Sequence, residues 1–253
     1  MSGYRDIAAD LRRRIQEGEF RATNGFLPKI GDLQRHYKVA RQTVRSALKQ
    51  LAEQGLIKQG QGRGVTAQVI DRDTVRIPLS RYGKVLAPGG ERGPWETACA
   101  EQGLDGRMVL VQFDRVPADD VLAEAIGLPR GTELVYRRRH AMLGERIHHV
   151  QMVWYPAALV EGTGLAENTK VVGGAFGLLT ALGHPPDMSD EMITARMPTA
   201  AEAAELEAST GVPLMVVERV VRDRAGTVLE FQRVIGPSDR IVLHYDQLPL
   251  GRK

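Results

Sequence analysis

The sequence predicts an α+β protein in two parts: a small helical unit, then a larger domain built on a mostly antiparallel sheet. Three observations support this prediction. Residues 1–70 carry apolar positions at helical spacing and end in a glycine-rich turn between two short alternating segments. Residues 71–94 are rich in glycine and proline and have no sustained period, which is typical of a linker. Residues 95–253 mix strand-like and helix-like segments with hairpin turns.

Three short helices are predicted before the glycine-rich turn. The first carries Ile7, Leu11 and Ile15 at every fourth position, and the second has apolar positions three and seven residues after Ile30. The third helix shows the full helical pattern, and Gly55 is expected to end it. Its apolar positions are Val44, Ala47, Leu48 and Leu51.

The second part is expected to contain strands in hairpins, flanked by helices. The turns LGE and RAGT join neighbouring strands, so we expect an antiparallel sheet with helices on one face. Helices are expected at DDVLAEAIGL, AFGLLTAL and AAEAAELEAST. Strands are expected at MVLVQFDRV, TELVYRRRHAM, RIHHVQMVWY, MSDEMITARM, PLMVVERVVRD, TVLEFQRVI and RIVLHYD.

Charge is distributed unevenly along the chain. Residues 1–70 hold 13 Lys/Arg against 6 Asp/Glu, whereas the remainder holds 21 against 25. A basic unit on a mildly acidic body indicates that the first part meets a polyanion, although a solvated face is the alternative. We expect a cytoplasmic location, because the sequence shows no long apolar run and no signal-peptide pattern, and its single cysteine, Cys99, cannot form an intrachain disulfide.

The third predicted helix has a basic face opposite its apolar stripe. Arg41, Arg45 and Lys49, four residues apart, form what we call the basic ridge. Such a ridge can enter a DNA major groove, where Arg pairs with guanine and Gln with adenine. A solvated surface helix is the alternative, but the short link before this helix predicts a helix-turn-helix, and the combination favours DNA binding. Gln61 and Arg63 are expected at the hairpin tip, where glycines permit close approach to DNA.

The run LPKIGDLQRHYKVARQTVRSALKQLAEQGLIKQGQGRGVTAQV resembles the winged helix-turn-helix of the GntR family of bacterial transcription regulators. By this resemblance Arg45 reads bases or phosphates, Thr43 contacts a phosphate, and Arg63 with its glycines belongs to the wing. The resemblance covers about residues 4–70.

The sequence departs from the family pattern at the starts of two helices. The family commonly has Ser and Arg after the Leu-Pro pair, where Lys29 and Gly31 stand here, and Ser where Ala40 stands. We therefore expect missing caps and fewer contacts from the second helix, with Lys29 or Arg35 as substitutes. The candidate DNA contacts are Lys29, Arg35, Arg41, Gln42, Thr43, Arg45, Ser46, Lys49, Gln61 and Arg63.

Residues 95–246 resemble the UTRA effector-binding domain of the HutC subgroup, whose fold is similar to chorismate lyase. The resemblance is carried by AIGLPRGTELVYRRRHAMLGERIHHVQMVWYP, LLTALGHPPDMSDEMITARMPTAAEAAEL and VPLMVVERVVRDRAGTVLEFQRVIGPSDRIVLHYD. It implies a ligand-responsive regulator, most often a repressor that binds a pseudo-palindromic operator as a homodimer. A small-molecule effector would release or re-orient the DNA-binding heads through residues 71–94.

The resemblance also implies an effector site on the sheet, often for an anionic metabolite or sugar phosphate. Arg137 and Arg139 share one face of a strand, and the Arg fork matches carboxylate or phosphate. The segments GGAFGLL and IGPSDR lack polar groups that many sugar-phosphate binders carry, which disfavours a sugar phosphate. Surface ion pairs are the alternative for each charged residue. The candidate effector contacts are Trp95 as a stacking surface, Arg137, Arg139, Phe176, Glu191, Arg196, Arg222 and Glu230.

A ligand-binding module or a lyase-like enzyme with an incidental basic N-terminal unit is the alternative function. Fold resemblance alone does not establish catalysis, and the sequence has no recognisable catalytic triad order, HExxH motif or phosphate loop. His148 and His149 are adjacent, and adjacent residues on a strand point to opposite faces, which makes a poor chelate. We therefore expect no enzyme activity, no cofactor and no metal.

Overall fold

The structure, a computed structural model, describes residues 3–23, 25–58, 67–69, 75–78, 93–171, 174–209 and 211–245. Its contacts divide the chain into two compact units. Unit 1 comprises Met1–Asp73 and Met197–Pro213, and unit 2 comprises Thr74–Arg196 and Leu214–Lys253. Residues 197–213, which the sequence analysis places in the second domain, therefore group with the first. In the described segments, no helix has the length and apolarity needed to cross a membrane.

Unit 1 has the predicted order of elements. Helices α1 (Tyr4–Gln16), α2 (Ile30–Tyr37) and α3 (Arg41–Glu53) precede the antiparallel pair of β1 (Ile57–Lys58) and β2 (Gln68–Val69). Residues 59–66 between the two strands, with Gln61 and Arg63, lie outside the described residues.

The apolar stripes of the three helices form the core of unit 1. Ile7 and Leu11 of α1 are buried, and Leu33 of α2 packs into the same cluster. The whole predicted stripe of α3, from Val44 to Leu51, is also buried there. Gly55 follows α3 with a φ of 66°, a left-handed conformation that glycine adopts without strain. The helical spacing of apolar residues therefore identified this core correctly.

A polar network ties α2 to α1. The Tyr37 hydroxyl donates to Asp10 Oδ2 at 2.6 Å, and the Arg14 guanidinium donates to the Tyr37 hydroxyl at 3.3 Å. Arg14 also forms an ion pair with Glu19 at 2.6 Å. Burial, together with the hydrogen bond to Asp10, raises the pKa of Tyr37 to about 12, so the hydroxyl remains a donor near neutral pH. The network fixes the second helix against the first.

The strands of unit 2 are β3 (Val75–Pro78), β4 (Gly106–Pro117), β5 (Glu133–Leu143), β6 (Arg146–Pro156), β7 (Pro186–Arg196), β8 (Leu214–Asp223), β9 (Val228–Pro237) and β10 (Ile241–His244). Six of them form an antiparallel sheet with the order β4-β5-β6-β9-β8-β7. The hairpins predicted at LGE and RAGT are confirmed as β5–β6 and β8–β9. A separate parallel pair joins β3 and β10, so part of the segment predicted as a linker is a strand.

Helices cover both faces of this sheet, not one face as predicted. On β5, Val135 packs with Leu179, whereas its neighbour Leu134 packs with Ile126 in a different cluster. Neighbouring strand residues point to opposite faces, so both faces of the sheet are buried at β5. The helices are α4 (Pro94–Glu101), α5 (Asp120–Ile126), α6 (Ala157–Val160) and α7 (Gly174–Ala181), while α8 (Ala200–Glu205) belongs to unit 1.

Candidate functional site

The basic ridge lies on the exposed side of α3. Arg41, Arg45 and Lys49 are all exposed, as is Gln42, and the buried stripe occupies the opposite side of the helix. Arg41 and Arg45 form no ion pair with any residue that the structure describes, and Lys49 lies 3.7 Å from Glu53 in an exposed pair of little energetic weight. The two guanidinium groups can therefore donate to phosphates or guanine edges without first breaking an internal bond. Thr43 and Ser46 are half-buried beside them.

The starts of α2 and α3 lack side-chain caps, as the departures from the family pattern predict. Lys29 and Ala40 hold the two N-cap positions, and neither makes a capping hydrogen bond. Lys29 is exposed, and Arg35 forms an exposed ion pair with Asp32. A Cβ added at Gly31 would meet nothing within 4 Å, so this position has room for a side chain.

One row of side chains crosses the sheet of unit 2. Residues directly opposite one another on paired strands share a face of the sheet, so the row lies on a single face. It contains two predicted effector contacts, Arg137 and Glu191, and two residues that the sequence analysis missed, Arg219 and Gln232. The members of this cross-sheet row are Phe113, Arg137, Val153, Gln232, Arg219 and Glu191.

Arg137 in this row is a clamp for a neighbouring loop. Its side chain is 3% exposed and donates to the carbonyl oxygens of Leu165 at 2.9 Å and Glu167 at 2.5 Å. It also donates to the carbonyl oxygens of Gly164 and Thr169. Burial lowers the pKa of Arg137, with a contribution from the nearby Arg139 charge, but a guanidinium stays protonated in proteins.

A second network in the row is centred on Arg219. Its guanidinium forms an ion pair with Glu230 at 3.0 Å and donates to Gln232 Oε1 at 2.9 Å. The Phe176 ring of α7 lies with its centroid 5.8 Å from the guanidinium carbon of Arg219. Burial and the hydrogen bond to Glu230 raise the pKa of Tyr155, which keeps its phenol neutral. Arg219 is thus hydrogen-bonded both to Glu230, a predicted effector contact, and to Gln232.

Arg139 and Gln151, on the same face, lie outside this network. Arg139 Nε and Gln151 Oε1 are buried and form no hydrogen bond within the part of the chain that the structure describes. The two residues lie directly opposite each other on β5 and β6. Buried polar atoms in folded proteins almost always have a partner, so a bound molecule with an acceptor and a donor would complete this pair. Gln151 could have been predicted from the sequence by aligning the two strands of the β5–β6 hairpin, because this alignment places it opposite Arg139.

Trp95, Arg196 and Arg222 lie away from the cross-sheet row. Trp95 is on α4 and was predicted as a stacking surface, but it is only 5% exposed and therefore offers no such surface to a ligand. Arg196 is exposed at the end of β7, an odd number of residues from Glu191, and so points from the other face. Arg222 lies beside Gly127, which ends α5 on the opposite side of the sheet.

The two adjacent histidines turn toward each other, contrary to the alternation expected for a strand. The β5–β6 register shifts between Ala141 and Met142, and this bulge places both rings in the interior. Their Nδ1 atoms are 3.1 Å apart, and Trp95 packs on both rings with centroid distances of 4.7 and 4.9 Å. His148 and His149 are thus hydrogen-bonded to each other. Across the described ranges, no group of three His, Cys, Asp or Glu residues is suited to hold a metal ion.

Comparison with known proteins identifies the family. Residues 3–66 match the family "Bacterial regulatory proteins, gntR family", and residues 101–242 match the UTRA domain. An HTH-type transcriptional regulator of Rhizobium meliloti is 31% identical over 251 residues, covering 96% of this chain and 94% of that protein. A regulator of the same description from Streptomyces coelicolor is 29% identical over 253 residues, covering 96% and 91%.

A third relative also has a solved structure. The HTH-type transcriptional repressor PhnF of Mycolicibacterium smegmatis is 27% identical over 215 residues, covering 85% of this chain and 81% of PhnF. The crystal structure of PhnF superposes with a TM-score of 0.58 at 25% identity, covering 95% of this chain and 98% of that one. The exposed basic ridge, the antiparallel sheet and both domain matches agree: the chain belongs to the GntR family of transcription regulators, in the HutC-type subgroup that carries a UTRA domain.

Proposed function

We propose that this regulator is a repressor that binds a pseudo-palindromic operator as a homodimer and responds to a small-molecule effector in unit 2. The observation that carries the proposal is the exposed basic ridge, in which Arg41 and Arg45 are free of ion pairs to described residues above a fully buried stripe. The relative PhnF is named a repressor. A two-fold symmetric pair of α3 helices would read two half-sites whose spacing is set by the dimer.

Each copy of α3 would contact both bases and phosphates of the operator. Arg45 and Gln42 have the chemistry to contact guanine and adenine in the major groove. Thr43 and Ser46, half-buried at the edge of the helix, are suited to phosphates, as are Lys29, Arg35, Arg41 and Lys49. Gln61 and Arg63 of the wing are proposed as further contacts on the strength of the resemblance.

The effector would bind at Arg139 and Gln151. Arg137 donates to the 164–169 loop, and the charge of Arg219 is balanced by Glu230. Of these two arginines and Arg139, it is therefore Arg139 whose charge is available to a ligand. One such charge suits a carboxylate better than a doubly charged phosphate. Gln151 Oε1 would accept from a hydroxyl or amino group of the same ligand. The ligand class is thus a small carboxylate that also carries a donor.

A thermal-shift screen of carboxylate metabolites tests the effector site. A compound that raises the melting temperature of the wild-type protein should lose most of this effect in Arg139→Gln, because the charged partner of the carboxylate is gone. The matched control is Arg222→Gln, which removes the same charge from the opposite face and should keep the shift. A hit that responds equally to both substitutions would contradict this location.

DNA capture followed by fluorescence anisotropy tests the DNA-binding proposal. Genomic fragments retained by the protein should contain related inverted repeats, and affinity for them should fall steeply with salt concentration. Arg45→Ala should weaken binding to a captured fragment by roughly tenfold or more, the cost of one good base contact. Arg130→Ala is the matched control, because Arg130 is an exposed, paired arginine of unit 2.

Two outcomes would count against the proposal. Equal and weak affinity for every fragment would show that the protein has no specific operator. An unchanged affinity in Arg45→Ala would show that α3 does not read the DNA sequence through Arg45. Sedimentation of the protein–DNA complex gives the number of protein chains bound. A single chain on a saturated fragment would contradict the proposed homodimer.

A further inference from the structure

Residues 197–213, here called the clip, lie between β7 and β8 in the sequence but fold with unit 1. The clip contains α8, whose start is closed by reciprocal hydrogen bonds. Thr199 Oγ1 accepts from the Glu202 N–H at 3.2 Å, and the Glu202 carboxylate accepts from the Thr199 N–H at 2.9 Å. Leu206 and Val212, which follow this helix, are buried. The clip thus consists of a capped helix followed by a segment with two buried apolar side chains.

The clip meets the C-terminal end of α3. The Ser209 hydroxyl donates to the carbonyl oxygen of Ala52 at 3.3 Å. The backbone of Gly211 lies so close to the carbonyl oxygen of Glu53 that a Cβ added at Gly211 would collide with it. The last carbonyls of a helix have no partner inside the helix, and here a segment more than 150 residues away lies over them.

Glycine is required on the other side of this contact as well. A Cβ added at Gly55 would lie 3.0 Å from Ser209 Cβ and would overlap with Val212 Cγ2. Val212 is 6% exposed, and this burial includes its packing against the turn that ends α3. The turn after α3 and the clip are therefore fitted to each other at backbone distance.

The clip is not part of the core that builds the helical unit. The buried cluster of α1, α2 and α3 runs from Ile7 to Ala67 and contains no described residue of the clip. The clip therefore contacts the end of a helix whose apolar stripe is buried in a core that the clip does not join. What it adds is a fixed position for that end, and α3 is the helix that carries the basic ridge.

We propose that Ser209, Gly211 and Val212 are positioning residues for DNA recognition: they fix the C-terminal end of α3 and so the orientation of the basic ridge. This inference rests on the proposed function. The two ends of the clip continue directly into β7 and β8, at Arg196 and Leu214, which are paired across the sheet. Five residues further along the same two strands, Glu191 and Arg219 pair within the cross-sheet row. The clip is thus covalently continuous with two strands of that row, and it contacts α3 and the turn after it only non-covalently, through Ser209, Gly211 and Val212. This connection is separate from residues 71–94.

The test uses full-length protein with substitutions in the clip. Gly211→Ala introduces the collision with the Glu53 carbonyl, and Val212→Asp makes the buried contact unfavourable. Ser209→Ala removes one hydroxyl, while Ser209→Thr keeps a hydroxyl at the same position. Ala204→Gln is the matched control, because Ala204 is exposed on α8 in the same segment.

Two readouts separate positioning from simple stabilisation. Hydrogen exchange should become faster at the amides of residues 54–56 in Gly211→Ala and Val212→Asp, while α1 and the first turns of α3 keep their protection. Affinity for a captured fragment should fall about tenfold, as for one lost base contact, while affinity for unrelated duplex DNA and its salt dependence stay unchanged. Ser209→Thr should retain the specific affinity that Ser209→Ala loses, and Ala204→Gln should match the wild type.

The outcomes distinguish this inference from the proposed function. If the wild type prefers no fragment, the proposed function fails, and the positioning role fails with it. If the wild type is selective and both Gly211→Ala and Val212→Asp keep its selectivity, the positioning role alone is overturned. It is also overturned if specific and non-specific affinity fall together with the melting temperature, since that pattern is general unfolding.

Discussion

At the scale of single residues, the His148–His149 pair shows how a local irregularity sets protonation. His148 Nε2 lies 2.9 Å from the carbonyl oxygen of Arg240, which can only accept, so Nε2 carries the proton. His148 Nδ1 is then the acceptor, and His149 Nδ1 donates to it. The same Arg240 carbonyl accepts from the Val75 N–H at 2.9 Å, at the start of β3. The pair thus helps to anchor the first described strand of unit 2.

This pair makes the stability of unit 2 depend on pH. Burial, with the charge on Arg139 and the neighbouring His148, holds the pKa of His149 well below 6.5. Below about pH 6.5 the unfolded chain therefore binds a proton at this residue that the folded chain does not bind. The free energy of unfolding should fall as the pH falls from 7 to 5, by up to about 1.4 kcal/mol per pH unit for this group.

Urea denaturation at several pH values, followed by tryptophan fluorescence, measures this effect. Both tryptophans, Trp95 and Trp154, belong to unit 2 and report on it alone. His149→Asn keeps a donor toward His148 but cannot titrate, so its stability should vary less with pH below 6.5. His36→Asn, at an exposed position of α2, is the control. An identical pH dependence in the wild type and His149→Asn would refute this assignment.

At the scale of elements, the helices of unit 1 could be predicted because their signal is local. The stripe from Val44 to Leu51 repeats at helical spacing within one segment, and burial follows from it. The hairpins β5–β6 and β8–β9 were equally readable from their turns. The bulge that brings the two histidines together was not, because the inserted residue carries no distinctive sequence pattern. The hydrogen bonds of Arg137 to the 164–169 loop could not be predicted either, because their carbonyl acceptors are about 30 residues away in the sequence.

Helix α2 offers a test of what this chain lacks relative to its family. Gly31 stands where the family commonly has Arg, and a side chain there would meet nothing within 4 Å. Gly31→Ala should stabilise α2 by at most about 1 kcal/mol, because alanine has the higher helix propensity and Gly31 lies in the first turn. Gly31→Arg should add a phosphate contact, tighten binding to any duplex, and steepen the salt dependence by about 0.9 in the log–log slope.

Comparing the two substitutions separates charge from helix stability. Anisotropy titrations over a salt series give the slope, and chemical denaturation gives the stability of each variant. Equal slopes for Gly31→Arg and Gly31→Ala would mean that α2 does not approach the DNA backbone at this position.

At the scale of the whole molecule, the order of segments in the sequence differs from their grouping in space. The chain changes unit at residues 73–74, 196–197 and 213–214. The sequence predicted two successive domains because composition and periodicity are read along the chain. They give no signal for a contact such as that of Ser209 with Ala52. For the same reason, the parallel pairing of β3 with β10 could not be predicted from two short apolar runs.

The clip has a consequence for anyone who wishes to rebuild this regulator from parts. A chimera made by cutting after residue 73 and attaching a foreign sensor would carry the DNA-reading helix but would leave residues 197–213 behind. The Ala52 carbonyl would then lose its hydrogen bond from Ser209, and the space beside Gly55 that Ser209 and Val212 occupy would be open to water. A faithful transplant needs two grafts, the N-terminal segment and a loop spliced between two strands of the recipient.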